Sequence, residues 1–218
     1  MAHIIKMFLK FGSYHDILDL YENGTIYMNP VQYFRKIEDK ELRGDKYEGA
    51  SEIINSFPGT FRIPGIDRDI PYEKVHLISS YPEVLGNIYS LYCISSFGMP
   101  NLLNFRIDKR ILRFGSHCLM VKDNAYFLER IRNEFQLRGL NFDEGFVRYY
   151  DRNTISKKLT YFDKPSEFEY QKEFRFYIEN QDIAPIKIDI GSLTNYSEIL
   201  PIKQIFRLRF EVGNKFRN

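Results

Sequence analysis

No stretch of the 218-residue chain approaches twenty consecutive apolar residues, so no membrane span is expected. Cysteine is nearly missing. Cys93 and Cys118 each sit in an apolar, β-like run, and two such residues build neither a disulfide framework nor a cysteine-based zinc site. The histidines His3, His15, His76 and His117 lack metal-ligand spacing, and no metal is expected. Absent too are a GxGxxG turn, a Gly-Lys-Ser phosphate loop and a GxSxG elbow, which sets aside three large enzyme classes. The start, Met1-Ala2-His3-Ile4-Ile5-Lys6, lacks the apolar core and cleavage site of a signal peptide, so a cytoplasmic location is expected. An excess of one charge is also missing. The net charge is +2 with both signs interspersed, which is not the field of a protein that coats nucleic acid.

What the chain does have is 44% hydrophobic residues and 16% aromatics, which exclude disorder and suffice for a real core. One domain over residues 1–218 is expected. The run His3 to Phe11 reads as a strand that stops at Gly12-Ser13, a turn residue followed by a helix N-cap. A short helix with Ile17, Leu18, Leu20 and Tyr21 on its stripe closes at Asn23-Gly24, and Thr25–Met28 reads as a second strand. Asn29-Pro30 opens another short helix. Residues 38–69 are charged and rich in Gly and Pro, and are expected to form a long loop insertion that is mobile or lies over a cleft. Strands follow at Val75–Ser79, Ile88–Phe97 and His117–Val121. The longest helix starts at Asp123-Asn124 with Ala125, Phe127, Leu128, Ile131, Phe135 and Leu137 on its stripe. Phe146–Tyr150, Ile186–Ile190 and Gln204–Phe210 are further strands. About eight strands, two or three helices and no βαβ alternation define an α+β class.

Within this pattern one stretch carries chemistry: Phe168-Glu169-Tyr170-Gln171-Lys172-Glu173-Phe174-Arg175-Phe176-Tyr177-Ile178. Read as a strand, it puts Glu169, Gln171 and Glu173 on one face, which is either a wet edge or the polar wall of a cleft.

The order of elements resembles the ADP-ribosyltransferase fold. That superfamily has a first strand leading to a short helix, a Ser- or Tyr-bearing strand, and a final Glu/Gln-x-Glu strand. The matching positions are Lys10-Phe11-Gly12-Ser13, Tyr92 to Ser96, and Gln171-Lys172-Glu173. The chain is also similar to a bacterial family of uncharacterised proteins in its Leu20-Tyr21-x-Asn23-Gly24-x-Ile26-Tyr27, Gly115-x-x-Cys118-Leu119 and Gln171-Lys172-Glu173-Phe174-Arg175 motifs. It departs from the transferases where Lys10 stands in place of Arg or His, a point charge for a planar fork.

The resemblance implies a split, strand-rich α+β domain that uses NAD as co-substrate. Small transferases of this kind resemble effectors of toxin and phage-defence systems, so a macromolecular acceptor, protein or nucleic acid, is implied. Glu173 would be the catalytic carboxylate, with Gln171 orienting the acceptor. Lys10, Gly12 and Ser13 would serve the adenosine side, and Tyr92, Ser95 and Ser96 the nicotinamide. Arg35 and Arg43 are the candidates for the pyrophosphate, because a guanidinium meets phosphate oxygens bidentately. The other class open to this sequence is a non-catalytic module that binds nucleic acid or protein through Tyr149, Tyr150, Arg152, Arg207 and Arg209.

Overall fold

The computed structural model describes residues 3–37, 45–97 and 105–209. In chain order the elements are β1 (Ile5–Gly12), α1 (Tyr14–Asn23), β2 (Thr25–Pro30), α2 (Val31–Lys36), β3 (Glu52–Ser56), β4 (Gly59–Arg62), β5 (Asp69–Tyr72), β6 (Val75–Ser79) and β7 (Asn87–Ser95). Then come β8 (His117–Val121), α3 (Asn124–Leu137), β9 (Phe142–Phe146), β10 (Arg148–Tyr150), β11 (Lys157–Lys158), β12 (Asp163–Pro165), β13 (Glu173–Ile178), β14 (Ile186–Asp189) and β15 (Ser197–Pro201). Among the described residues, two-turn 3-10 segments occupy Lys109–Phe114, Ser166–Gln171 and Ile202–Arg207. The class is α+β.

The helix ends follow the caps that the sequence offers. The Ser13 hydroxyl accepts from the Asp16 N–H at the start of α1, and Asp123 does the same for Tyr126 at the start of α3. Gly24 ends α1 with φ of 70°, and a Cβ there would lie 2.1 Å from the Gly191 carbonyl oxygen. Only glycine meets both demands. On α3, Phe127, Leu128, Ile131 and Phe135 are buried, whereas Leu137 is 82% exposed, so the apolar stripe ends at Phe135.

The sheet is organised around β7. Its one edge pairs along its length with β13, from Glu173↔Tyr92 to Ile178↔Asn87, and β13 pairs in turn with β9. Its other edge is shared by two strands. β1 pairs with the C-terminal half as far as Leu9↔Tyr92, and β2 pairs with the N-terminal end at Asn29↔Ile88 and Pro30↔Asn87. Beyond Leu9, β1 leaves β7 but stays joined to β8, which carries β15, while β2 carries β14 on its far side. The sheet therefore forks, with the edge of β7 from Tyr89 to Leu91 at the root of the notch.

Alternation divides the sheet's two faces. Phe8, Ile26, Met28, Tyr89, Leu91, Cys93, Phe174, Phe176, Ile178 and Ile188 belong to the core that α1 and α3 cover. Leu9, Tyr92 and Ile94 face the opposite way, into a smaller core with Phe105, Ile111, Tyr170, Ile202 and Ile205. Glu173 and Arg175, out of phase with Phe174 and Phe176, belong to this second side.

Three expectations change. Of the loop expected over residues 38–69, residues 38–44 lie outside the described chain, and much of the rest is strand. β3 pairs with β6 and β11, and β4 pairs with β5. Outward-facing polar side chains and the Pro and Gly at the hairpin turns hid this pairing. The segment from Gln204 is a 3-10 turn as far as Arg207, because its buried positions Ile202 and Ile205 recur at spacing three, the period of that helix. The strand carrying Glu173 begins at Glu173 itself. Glu169 and Gln171 lie in a 3-10 turn, and Lys172 turns the chain into β13 through left-handed backbone at φ 43°, ψ 53°.

Candidate functional site

A cavity of about 570 Å³ fills the notch of the sheet. The end of β1 supplies Leu9, Lys10, Phe11 and Gly12. β7 supplies Ile88 through Tyr92, β2 supplies Thr25, Tyr27 and Asn29, and Glu173 and Arg175 come from β13. The polar residues at this β13 end are buried in spite of their charge.

Glu173 is 7% exposed and accepts from Lys164 Nζ at 2.8 Å on one oxygen and from Arg175 Nε at 2.8 Å on the other. Arg175 is held from the far side by Glu48, Nη1 to Oε1 at 2.6 Å and Nη2 to Oε2 at 3.1 Å, and also donates to the Tyr161 carbonyl. Lys164 donates to Gln171 Oε1 at 2.6 Å, and Gln171 Nε2 donates to the Tyr170 hydroxyl. Two anions and two cations thus balance in the interior, the condition for burying them at all. Each oxygen of Glu173 uses one of about two acceptor directions, so the carboxylate keeps room to bind a further donor from the cavity.

Burial alone would raise the Glu173 carboxyl, but the charges and hydrogen bonds of Arg175 and Lys164 outweigh it and hold the pKa far below 4.5. Glu173 is therefore an anion throughout the working pH range. It is fitted to stabilise positive charge, not to deliver a proton. Burial opposes the charge of Arg175 too, yet Glu173 and Glu48 raise its pKa and keep it protonated.

Glu48 was not singled out by the sequence. It rides on a turn within the expected loop, and nothing local to Asp45-Lys46-Tyr47-Glu48 shows that Arg175, 127 residues later, awaits it. Asp45 in the same turn is 3% exposed and accepts from the Tyr47 N–H at 2.9 Å. Burial, with a smaller push from Glu48, raises its pKa from 3.8 to about 6 against the pull of Lys164. Between those two values the folded protein binds more protons than the unfolded chain, so stability falls as pH rises from 3.8 to about 6. Asp45→Asn keeps the acceptor for Tyr47 and removes the charge. It is expected to flatten that stretch of the pH–stability curve and raise the melting temperature at pH 7 by about 2–4 °C or more. A variant whose melting temperature follows pH as the wild type's does would contradict this account of Asp45.

The expected site residues separate into three groups. Glu173, Gln171, Tyr92, Lys10 and Gly12 all line the cavity, and Tyr92 sits directly opposite Glu173 in the sheet. Lys10 donates to the Ser90 carbonyl at 2.8 Å and lies 4.1 Å from the centre of the Tyr89 ring, so it closes the exposed edge of β7 at the fork. Gly12 sits where the end of β1 meets α1, and a Cβ there would make only an ordinary contact, 3.4 Å from Ile17. A second group lies elsewhere. Ser13 caps α1. Ser95 accepts from the Phe97 N–H and Ser96 from the Ile4 N–H, and neither lines the cavity. The hydroxyl of β7 that does line it is Ser90, on the same face as Tyr92 by alternation. Arg35 donates to the Tyr81 carbonyl away from the cavity. Arg43 is outside the described residues.

The residues of the binding-module reading form no open aromatic surface. Tyr150 is 7% exposed, and the Tyr149 hydroxyl accepts the backbone N–H of Glu173 at 2.9 Å. Arg152 is engaged with Glu167.

Two further groups bear on a ligand. Tyr89 and Tyr92 both line the cavity, from opposite faces of β7, and their buried hydroxyls find no hydrogen-bond partner among the described residues. Unsatisfied buried hydroxyls are rare in folded proteins, which singles out these two residues of the cavity lining. The cavity's size lies inside the roughly 300–1,000 Å³ of small-molecule sites. Among the described residues no helix is long and apolar enough to cross a membrane. Comparisons with protein-family models, with curated proteins and with solved structures gave no significant match, so the geometry above is what bears on function.

Proposed function

We propose that the protein is an ADP-ribosyltransferase-like enzyme that takes NAD as co-substrate and passes its ADP-ribose to a macromolecular acceptor, protein or nucleic acid. The observation that carries this reading is the ionised, buried Glu173 at the wall of a forked-sheet cavity, directly opposite Tyr92. Cleavage of the nicotinamide bond sends its electron pair to the ring nitrogen and leaves positive charge spread over the ribose C1′ and ring oxygen. A fixed carboxylate beside that carbon stabilises the charge as it develops, as in glycoside hydrolysis. Glu173 has two acceptor directions left for a ribose hydroxyl, and Lys164 and Arg175 keep it from turning away. The Tyr92 ring offers a flat apolar wall for nicotinamide, and its unpaired hydroxyl a donor for the carboxamide. Gln171, tied to Glu173 through Lys164, lines the same cavity and would orient the nucleophile that attacks C1′ from the acceptor.

Incubation of the purified protein with NAD, with and without cell extract, tests the reading by the amount of free nicotinamide. Release above the protein-free control, increased by extract, is the expected result. No release under either condition, from protein shown to be folded, overturns it.

A further inference from the structure

Four cations line the cavity: Lys10, Lys164, Arg175 and Lys187. Lys164 and Arg175 are held by Glu48 and Glu173 at 2.6–2.8 Å, and moving either would strip a buried carboxylate of its partner. Lys10 is committed to the Ser90 carbonyl and the Tyr89 ring. Lys187 differs. It stands on β14 opposite Tyr27 of β2, and its side chain is 59% exposed. Its ammonium lies 3.7 Å from Asp19 Oδ2, beyond hydrogen-bonding distance.

Asp19 is drawn to that lysine but does not rely on it alone. It accepts from Asn23 Nδ2 at 2.8 Å, and this hydrogen bond is the leading cause of its lowered pKa. Lys187 can therefore swing toward an incoming anion without leaving an unsatisfied carboxylate. The strand face around it is built for a polar ligand. The β2 residues Ile26 and Met28 turn into the core, while Thr25, Tyr27 and Asn29 turn to the cavity and share that wall with Lys187. Tyr92, which lines the same cavity on the face of Glu173, carries a buried hydroxyl with no hydrogen-bond partner among the described residues, an independent mark of a cavity that receives polar atoms.

We infer that Lys187 binds the diphosphate of a nucleotide ligand in the notch, the task that the sequence assigned to Arg35 and Arg43. This rests on the NAD reading for the identity of the ligand but not for the presence of an anion site. Lysine serves a phosphate as a mobile point charge, which suits a residue at the rim of a cleft that has to admit and release its ligand.

Calorimetric titration of ADP-ribose, inorganic pyrophosphate and adenosine into the wild type, Lys187→Met and Lys187→Arg tests the inference. ADP-ribose is expected to bind Lys187→Met about tenfold more weakly than wild type, Lys187→Arg is expected to recover much of the loss, and adenosine is expected to be insensitive to both. The residue is exposed, so an unchanged melting temperature should confirm that the variants are folded. Equal binding of ADP-ribose to wild type and Lys187→Met overturns the inference, even if NAD is cleaved. Lys187-dependent binding of ADP-ribose without nicotinamide release supports the anion site and removes the catalytic reading. Lys187-dependent binding of pyrophosphate alone supports the anion site and removes the dinucleotide. A wild type that binds neither phosphate compound overturns the site.

Discussion

Glu173→Gln should lower nicotinamide release on the order of a hundredfold or more, because it removes a preorganised charge that faces the transition state while preserving the side chain's size. ADP-ribose affinity should change much less, since the phosphates and adenosine contribute most of its contacts. On an exposed strand this substitution would alter stability by no more than about half a kcal/mol. Glu173 is not exposed. The substitution leaves Arg175 and Lys164 facing Glu48 alone, and breaking a buried pair in this way costs about 3–5 kcal/mol. Loss of rate could then reflect loss of fold. Glu173→Gln with Lys164→Met removes one charge of each sign and leaves the Glu48–Arg175 pair intact. The double variant should regain most of the stability and none of the activity. Wild-type rates in either variant would sink the assignment of Glu173.

The largest effect on stability is expected at Arg175. Its guanidinium is 2% exposed and joins two buried carboxylates, so Arg175→Met leaves Glu48 and Glu173 together with Lys164 as the one cation paired with both among the described residues. A loss of about 3–5 kcal/mol or more in urea denaturation is expected. The Arg132–Glu144 pair is a useful comparison, because the arginine there is 43% exposed and Arg132→Ala should cost no more than about 1 kcal/mol. Acid unfolding should respond as well. The lowered pKa of Glu173 means that its contribution is present above the ordinary carboxyl value of 4.5 and is lost as pH falls below it. Without Arg175 the Glu173 carboxyl rises, so protonation begins at higher pH and the acid midpoint moves up. Equal urea midpoints for Arg175→Met and Arg132→Ala would show that the buried network contributes no more than a surface pair.

Much of the frame is legible along the chain because it is written in local terms. Ser13 and Asp123 announce helices by cap chemistry, Gly24 ends one by its backbone freedom, and the β-branched and aromatic runs of β1, β7 and β13 mark strands. The α+β class follows from their order, and Glu173, Gln171 and Tyr92 stand out by residue type and spacing.

What no window of sequence contains is which partner stands across a fork in the sheet. Alternation told Glu173 from Phe174 but not whether its face was wet, and a surface pair with Arg175 and a buried one read identically from residues 173 and 175. Burial was decided by Lys164 on β12 and by Glu48 on a turn 127 residues before Arg175, which together cover that face and neutralise it. Ser95 and Ser96 matched a motif, but the register of β7 against β1 and β13 sends Ser90 and Tyr92 to the cavity instead. Lys187 had no local signal at all, because it acts only through β14 pairing with β2. Helix caps and strand runs are set by neighbours a few residues away, which the sequence displays. Charge neutralisation and cavity walls are set by groups distant in the chain, and only the closed tertiary structure brings those together.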